Sequence, residues 1–101
     1  MKIIYITCDV TVLEPLLKLL DENKISSYQV IEQLTAKNIK GAPRFNTAVW
    51  PGYNSAVFIQ MSDEDKTKLI MNKLREFNKA MINEDELITV CTWTMDEYFF
   101  E

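Results

Sequence analysis

The chain contains no histidine among its 101 residues. That removes the commonest general base and the commonest transition-metal ligand. Cysteine is scarce: Cys8 and Cys91 fit no CxxC or zinc spacing and read as reduced, buried thiols that behave as small hydrophobes. Long apolar runs are missing, so no segment is expected to span a bilayer. The start, "MKIIYITC", turns polar too soon for a signal-peptide core, and the expected location is cytoplasmic. Net charge is −4, with 15 acids against 11 bases, which argues against a nucleic-acid partner. No GxGxxG or GxxxxGK[ST] phosphate motif occurs.

Glycine is as scarce as cysteine. There are two, Gly41 and Gly52, and they sit in one stretch, "GAPRFNTAVWPG", with two of the three prolines. Acid is absent from the whole interval between Gln33 and Ser62, where Lys37, Lys40 and Arg44 lie. The sequence therefore places a cationic segment on an anionic body. A structureless connection of this length inside a compact domain is more often functional than decorative.

Around that segment the patterning is regular. "KIIYITC" (2–8) is rich in β-branched and aromatic residues and reads as a strand. A helix follows, with Leu13, Leu16, Leu17 and Leu20 on one face. Thr11 and Glu14 have capping-box spacing, Pro15 is expected in the first turn, and the end falls near Asn23. Strands are expected at 27–34, 54–61 and 87–94. A second helix is expected over 62–81, capped by Ser62 and carrying Ile70, Leu74, Phe77 and Met81 as its apolar stripe. "NEDE" (83–86) reads as a turn.

The order β-α-β-β-α-β predicts an α+β, ferredoxin-like sandwich: a four-stranded antiparallel sheet with both helices on one face, filling residues 1–101 as one domain with a long loop at 35–52. If Ile4, Ile6 and Cys8 face the helices, then Ile3, Tyr5 and Thr7 face away, with large residues of the third and fourth strands beside them. That outer face is too apolar for a wet sheet and predicts self-association. A half-wet sheet covered by the aromatic tail (Tyr98, Phe99, Phe100) is the competing reading.

Within the loop, Arg44 suits bidentate contact with a carboxylate or phosphate. Phe45 and Trp50 have the residue types that dominate binding hot spots. Trp50 has a second reading, as packing on a sheet edge or a neighbouring subunit.

With "MKIIYIT" as first strand, "SSYQVIEQL" as second, a long loop and then "WPGYNSAVFIQM", the chain resembles the PII-like superfamily of small trimeric signalling proteins, the nitrogen regulatory P-II type. The likeness runs over nearly the whole length. It implies a non-enzymatic homotrimer with sheets facing inward. It also implies ligand clefts between subunits at the base of the loop, which corresponds to the family's T-loop. That loop docks on a protein partner such as a membrane transporter. Central members hold ATP or ADP through a glycine- and base-rich turn before the last strand. Here "NEDE" has no glycine and three acids, which repel a triphosphate. That departure makes a smaller anionic ligand the expectation, held by Lys37, Lys40, Gly41 and Arg44, with Phe45, Trp50 and Tyr53 facing the partner and the cofactor undetermined. The related divalent-cation tolerance proteins give the alternative, a metal-responsive trimer. A small ferredoxin-like enzyme such as an acylphosphatase ranks below both.

Overall fold

A computed structural model describes residues 1–37, 43–49 and 51–101. Its elements run β1 (Lys2–Asp9), α1 (Val10–Glu22), β2 (Gln29–Leu34), β3 (Asn54–Met61), α2 (Glu64–Lys79), a 3-10 turn (Glu84–Glu86) and β4 (Thr89–Thr94). The sheet has four strands in the order β2-β3-β1-β4, and every neighbouring pair is antiparallel. This is the ferredoxin-like α+β arrangement expected from the element order.

Side chains alternate across a strand. In β1 the result is plain: Ile4, Ile6 and Cys8 are buried in a core shared with Val57, Ile59 and Met61 of β3. Val12, Leu16 and Leu20 of α1 and Ile70 and Leu74 of α2 close it from above. The α1 stripe is thus centred one position from the expected leucine pattern, with Leu13 and Leu17 only half-buried at its margin.

Both expected helix starts are corrected. α1 is capped by Asp9, not by Thr11: the Asp9 carboxylate accepts from the Thr11 backbone N–H and from its hydroxyl. The helix therefore starts earlier, and Pro15 lies inside it rather than in the first turn. The missing Pro15 N–H leaves the Thr11 carbonyl without its helical donor. Both residues are exposed, on the solvent side of the helix. α2 is capped by Asp63, whose side chain accepts from the Lys66 N–H at 3.0 Å, and not by Ser62. In each case a carboxylate wins over a neighbouring hydroxyl, as the positive helix start favours.

Two buried polar side chains tie elements together. The Ser55 hydroxyl donates to the Glu32 carbonyl at 2.6 Å, where the β2–β3 register shifts between Ile31 and Leu34. It satisfies an oxygen that the irregular ladder leaves over. Asn78 at the end of α2 clasps Ile88 at both ends of its amide: the Ile88 N–H donates to Oδ1 at 2.8 Å and Nδ2 donates to the Ile88 carbonyl at 2.9 Å. This fixes the entry to β4, which begins at Thr89 rather than at Leu87. Asn78→Ala is expected to cost about 2 kcal/mol, because two part-buried hydrogen bonds go at once. Urea denaturation should show the midpoint falling with the slope unchanged.

Candidate functional site

Five pieces of chain meet at one end of the sheet: the end of β1 with the start of α1, the start of β3, the 3-10 turn, the start of β4 and the base of the long loop. Between them lies a cleft of 480 Å³ whose lining includes Asp9, Lys37, Asn54, Asn78, Glu84 and Asp85.

The loop base is a built structure. Ala36 and Arg44 form an antiparallel bridge, Ala36 N to Arg44 O at 2.8 Å and Arg44 N to Ala36 O at 2.7 Å. Further on, the Asn46 N–H donates to the Gly52 carbonyl at 2.8 Å. The sequence's single loop is thereby pinned twice. Gly52 has φ +86°, a conformation that favours glycine, and a Cβ there would lie 3.2 Å from Arg44 Cδ, so a side chain would be strained and would press on the Arg44 side chain. Asn46, at φ 55°, takes a left-handed position that asparagine tolerates.

Arg44 is the centre of the arrangement. Its Nε donates to Asp9 Oδ1 at 2.7 Å, and its terminal nitrogen stands 3.5 Å from Asp85 Oδ2. Its side chain is 17% exposed and that of Asp9 11%. One guanidinium thus joins the loop base to the cap of α1 and to the acidic turn. Burial works against the charge on Asp9. The hydrogen bonds from the Thr11 hydroxyl, Arg44 and the Thr11 N–H, with the attraction of the guanidinium, outweigh it and hold the carboxyl below its usual range. The Asp9 hydrogen bond in turn raises the Arg44 pKa further. Next to them the Cys8 thiol is pushed up to about 11, by burial first and then by the Asp9 charge. It is a neutral core group at physiological pH, not a thiolate nucleophile.

The other expected site residues fall as follows. Lys37 is exposed and lines the cleft. Phe45 is 37% exposed, away from the core. Tyr53 is half-buried, and its carbonyl accepts the Val10 N–H at 3.1 Å, so its backbone helps fix the start of α1. Lys40, Gly41 and Trp50 lie outside the described residues. The sequence pattern marks neither Asp9 nor Asn54, and marks Asp85 only as one acid of the turn 83–86. Asp9 is 35 residues from Arg44 along the chain, and no local pattern links them. Among the described residues, no three His, Cys, Asp or Glu side chains are grouped to hold a metal ion.

The opposite face of the sheet carries a second surface. Tyr5 and Phe58, paired across β1 and β3, have ring centroids 4.6 Å apart. Ile31 on β2 is 45% exposed and Trp93 on β4 is 47% exposed. Ile3 and Cys91 complete an apolar band across all four strands.

Strand order, helix placement and the long connection before β3 are together the fold of the PII-like signalling proteins. Solved structures bear this out. CPII from Thiomonas intermedia K12, bound to ADP and bicarbonate, superimposes with TM-score 0.66 at 14% identity, over 95% of this chain and 88% of that one. Its apo form gives 0.60 at 14% identity over 91% and 87%. A PII-like signalling protein from Thermus thermophilus gives 0.60 at 13% identity over 91% and 83%. No family model and no curated protein matches the sequence. Among the described residues, no helix is long and apolar enough to cross a membrane.

Proposed function

We propose that the chain is a PII-like regulatory protein rather than an enzyme. In this reading it assembles as a homotrimer, binds a small anionic ligand at the loop-base cleft, and engages a protein partner through loop 35–52. A membrane transporter is the kind of partner that the resemblance implies. The observation that carries the reading is Arg44. It is the one described contact group that touches the loop base, the start of α1 and the acidic turn together. A ligand that draws Arg44 away from Asp9 and Asp85 changes the hold on the whole loop base. Lys37, which lines the cleft beside Asp9 and Asp85, supplies a second cation near Arg44's partners, and Lys40 and Gly41 belong to the same arm. Phe45, Trp50 and Tyr53 are the proposed partner contacts.

CPII has been solved with ADP, AMP and bicarbonate, and these are the first ligands to try, with 2-oxoglutarate beside them. A ligand that prefers the folded state raises its melting temperature, by the equivalent of about 2.7 kcal/mol at a hundredfold excess over Kd. The expected result is a rise with at least one of the four, lost in Arg44→Gln. No rise with any of them at millimolar concentration overturns this ligand class.

The assembly is tested separately by thiol labelling. Cys91 is exposed on the outer face and Cys8 is buried. In the folded trimer both thiols should resist a soluble disulfide reagent. One thiol per chain reacting at the rate of a free exposed cysteine would mean that the outer face stays wet.

A further inference from the structure

A second, separate groove lies at the other end of β1. Lys2 opens that strand and Asp9 closes it, roughly 23 Å away at about 3.3 Å per residue. The helices rest on β1 and β3. Thr92 of β4, in register with Ile4 and therefore on the helix-facing side, is left exposed. Facing it is one stripe of α2: Lys68, Met71, Asn72 and Arg75 follow the i, i+3, i+4, i+7 spacing that shares a helix face. With Thr67 and Lys2 these residues line a groove of 430 Å³.

Its chemistry is one-sided. Three cations and no acid line it, on a protein whose net charge is −4. Lys18, Lys73 and Arg44 have carboxylate partners, whereas among the described residues Lys2, Lys68 and Arg75 make no ion pair. Lys2 Nζ donates only to the Thr94 hydroxyl at 3.1 Å, and Arg75 donates to the neutral Asn72 Oδ1 at 3.3 Å. Those acceptors orient the heads without neutralising them. Lys68 and Arg75 are about 10 Å apart along the helix axis, at 1.5 Å per residue, and Lys2 stands across the groove from them. This separation suits several negative groups on one compact molecule. The volume is that of a small-ligand site.

We infer that this groove binds a small polyanion, a phosphorylated or polycarboxylate metabolite, independently of the loop-base cleft. Arg75 gives forked donation to an oxyanion, Lys68 and Lys2 give point charges, and the Thr92 hydroxyl and Asn72 amide add neutral hydrogen bonds. Met71 forms the apolar floor under the ligand's carbon skeleton.

The test is calorimetry on the full chain with pyrophosphate and with citrate, at low salt and at physiological salt. One site per chain is expected for at least one of them, weakening as salt rises. Affinity should fall at least about tenfold in the doubly substituted Lys68→Gln, Arg75→Gln protein, because two charge-assisted contacts are lost. Both side chains are exposed, so this variant should keep the wild-type circular dichroism and melting temperature. Arg44→Gln should bind as the wild type does. Binding of pyrophosphate alone marks the site as one for phosphorylated ligands, and of citrate alone as one for polycarboxylates; either supports the assignment. No heat from either anion at millimolar concentration overturns it. So does binding that survives the double substitution but is lost in Arg44→Gln, since the anion then sits at the loop base.

Discussion

Asp9→Ala is expected to lower the unfolding free energy by about 3 kcal/mol. The loss has two parts, which can be measured apart. The Asp9 side chain caps α1 through the Thr11 N–H, and replacing a capping carboxylate by alanine costs about 1 kcal/mol. It also receives the Nε hydrogen bond of a mostly buried Arg44. A hydrogen bond to a charged group is worth about 1.5–3 kcal/mol, and its loss leaves the guanidinium, among the described residues, with the longer contact to Asp85. Asp9→Asn keeps a good cap and removes only the charge, so it should cost about 2 kcal/mol. In a double-mutant cycle Asp9→Asn and Arg44→Gln should couple by more than 1 kcal/mol, as direct partners do. Hydrogen exchange would add the structural readout. The amides of Ala36 and Arg44, paired in the loop-base bridge, should exchange faster in either variant, while those of the β1–β3 ladder keep their protection.

The same carboxylate gives the stability a sign in pH. Its folded pKa lies below its ordinary value, so the unfolded chain takes up the proton first as pH falls. The stabilisation is complete above the unfolded aspartate value of about 3.9 and drains away as pH drops through the lower folded value. Chemical denaturation at pH 6 and at pH 3 should therefore show a smaller acid loss in Asp9→Asn than in the wild type. Equal losses would mean that other carboxylates set the acid limit.

Local patterning made most of this fold legible. β3 falls where "NSAVFIQM" (54–61) places it, and the alternation in "KIIYITC" correctly separates the core side from the outer side of β1. The element order was enough for the sheet, because right-handed crossovers leave few other ways to join these strands. The errors come where two neighbours compete for one role. Asp9 and Thr11, or Ser62 and Asp63, each offer an oxygen to a helix start, and the choice depends on how the preceding strand delivers the chain. The site was less legible for a different reason. Lysine and arginine without acid nearby in sequence look free, but the sheet brings the end of β1 and the acidic turn up to Arg44. Ion pairs between distant segments leave no spacing to read. The cationic groove escaped for the same reason: Lys2 and the Lys68–Arg75 stripe meet only through the packing of α2 beside β4.

Placing one aspartate on the outer face, at Trp93 or at Ile31, is expected to break the assembly at least about a hundredfold in protein concentration. Wild-type protein should scatter light as a trimer, three times the 11.8 kDa chain, and either variant should approach a single chain at micromolar concentration. The argument rests on exposure. Trp93 is 47% and Ile31 45% exposed on the isolated chain, at opposite edges of the band that Tyr5 and Phe58 centre. Burying a large apolar side chain contributes about 1.5–3 kcal/mol, and closed symmetry repeats the gain at every interface. Aspartate reverses the sign, because a carboxylate enclosed between two sheets loses its water and finds no cation on this band. The fold should survive, since neither residue contributes to the helix-side core. Trp93→Phe serves as the control: it keeps an apolar ring and should keep the trimer. If the wild type itself scatters as 11.8 kDa, the band is wet, the clefts do not lie between subunits, and any ligand at Arg44 must be held by one chain alone.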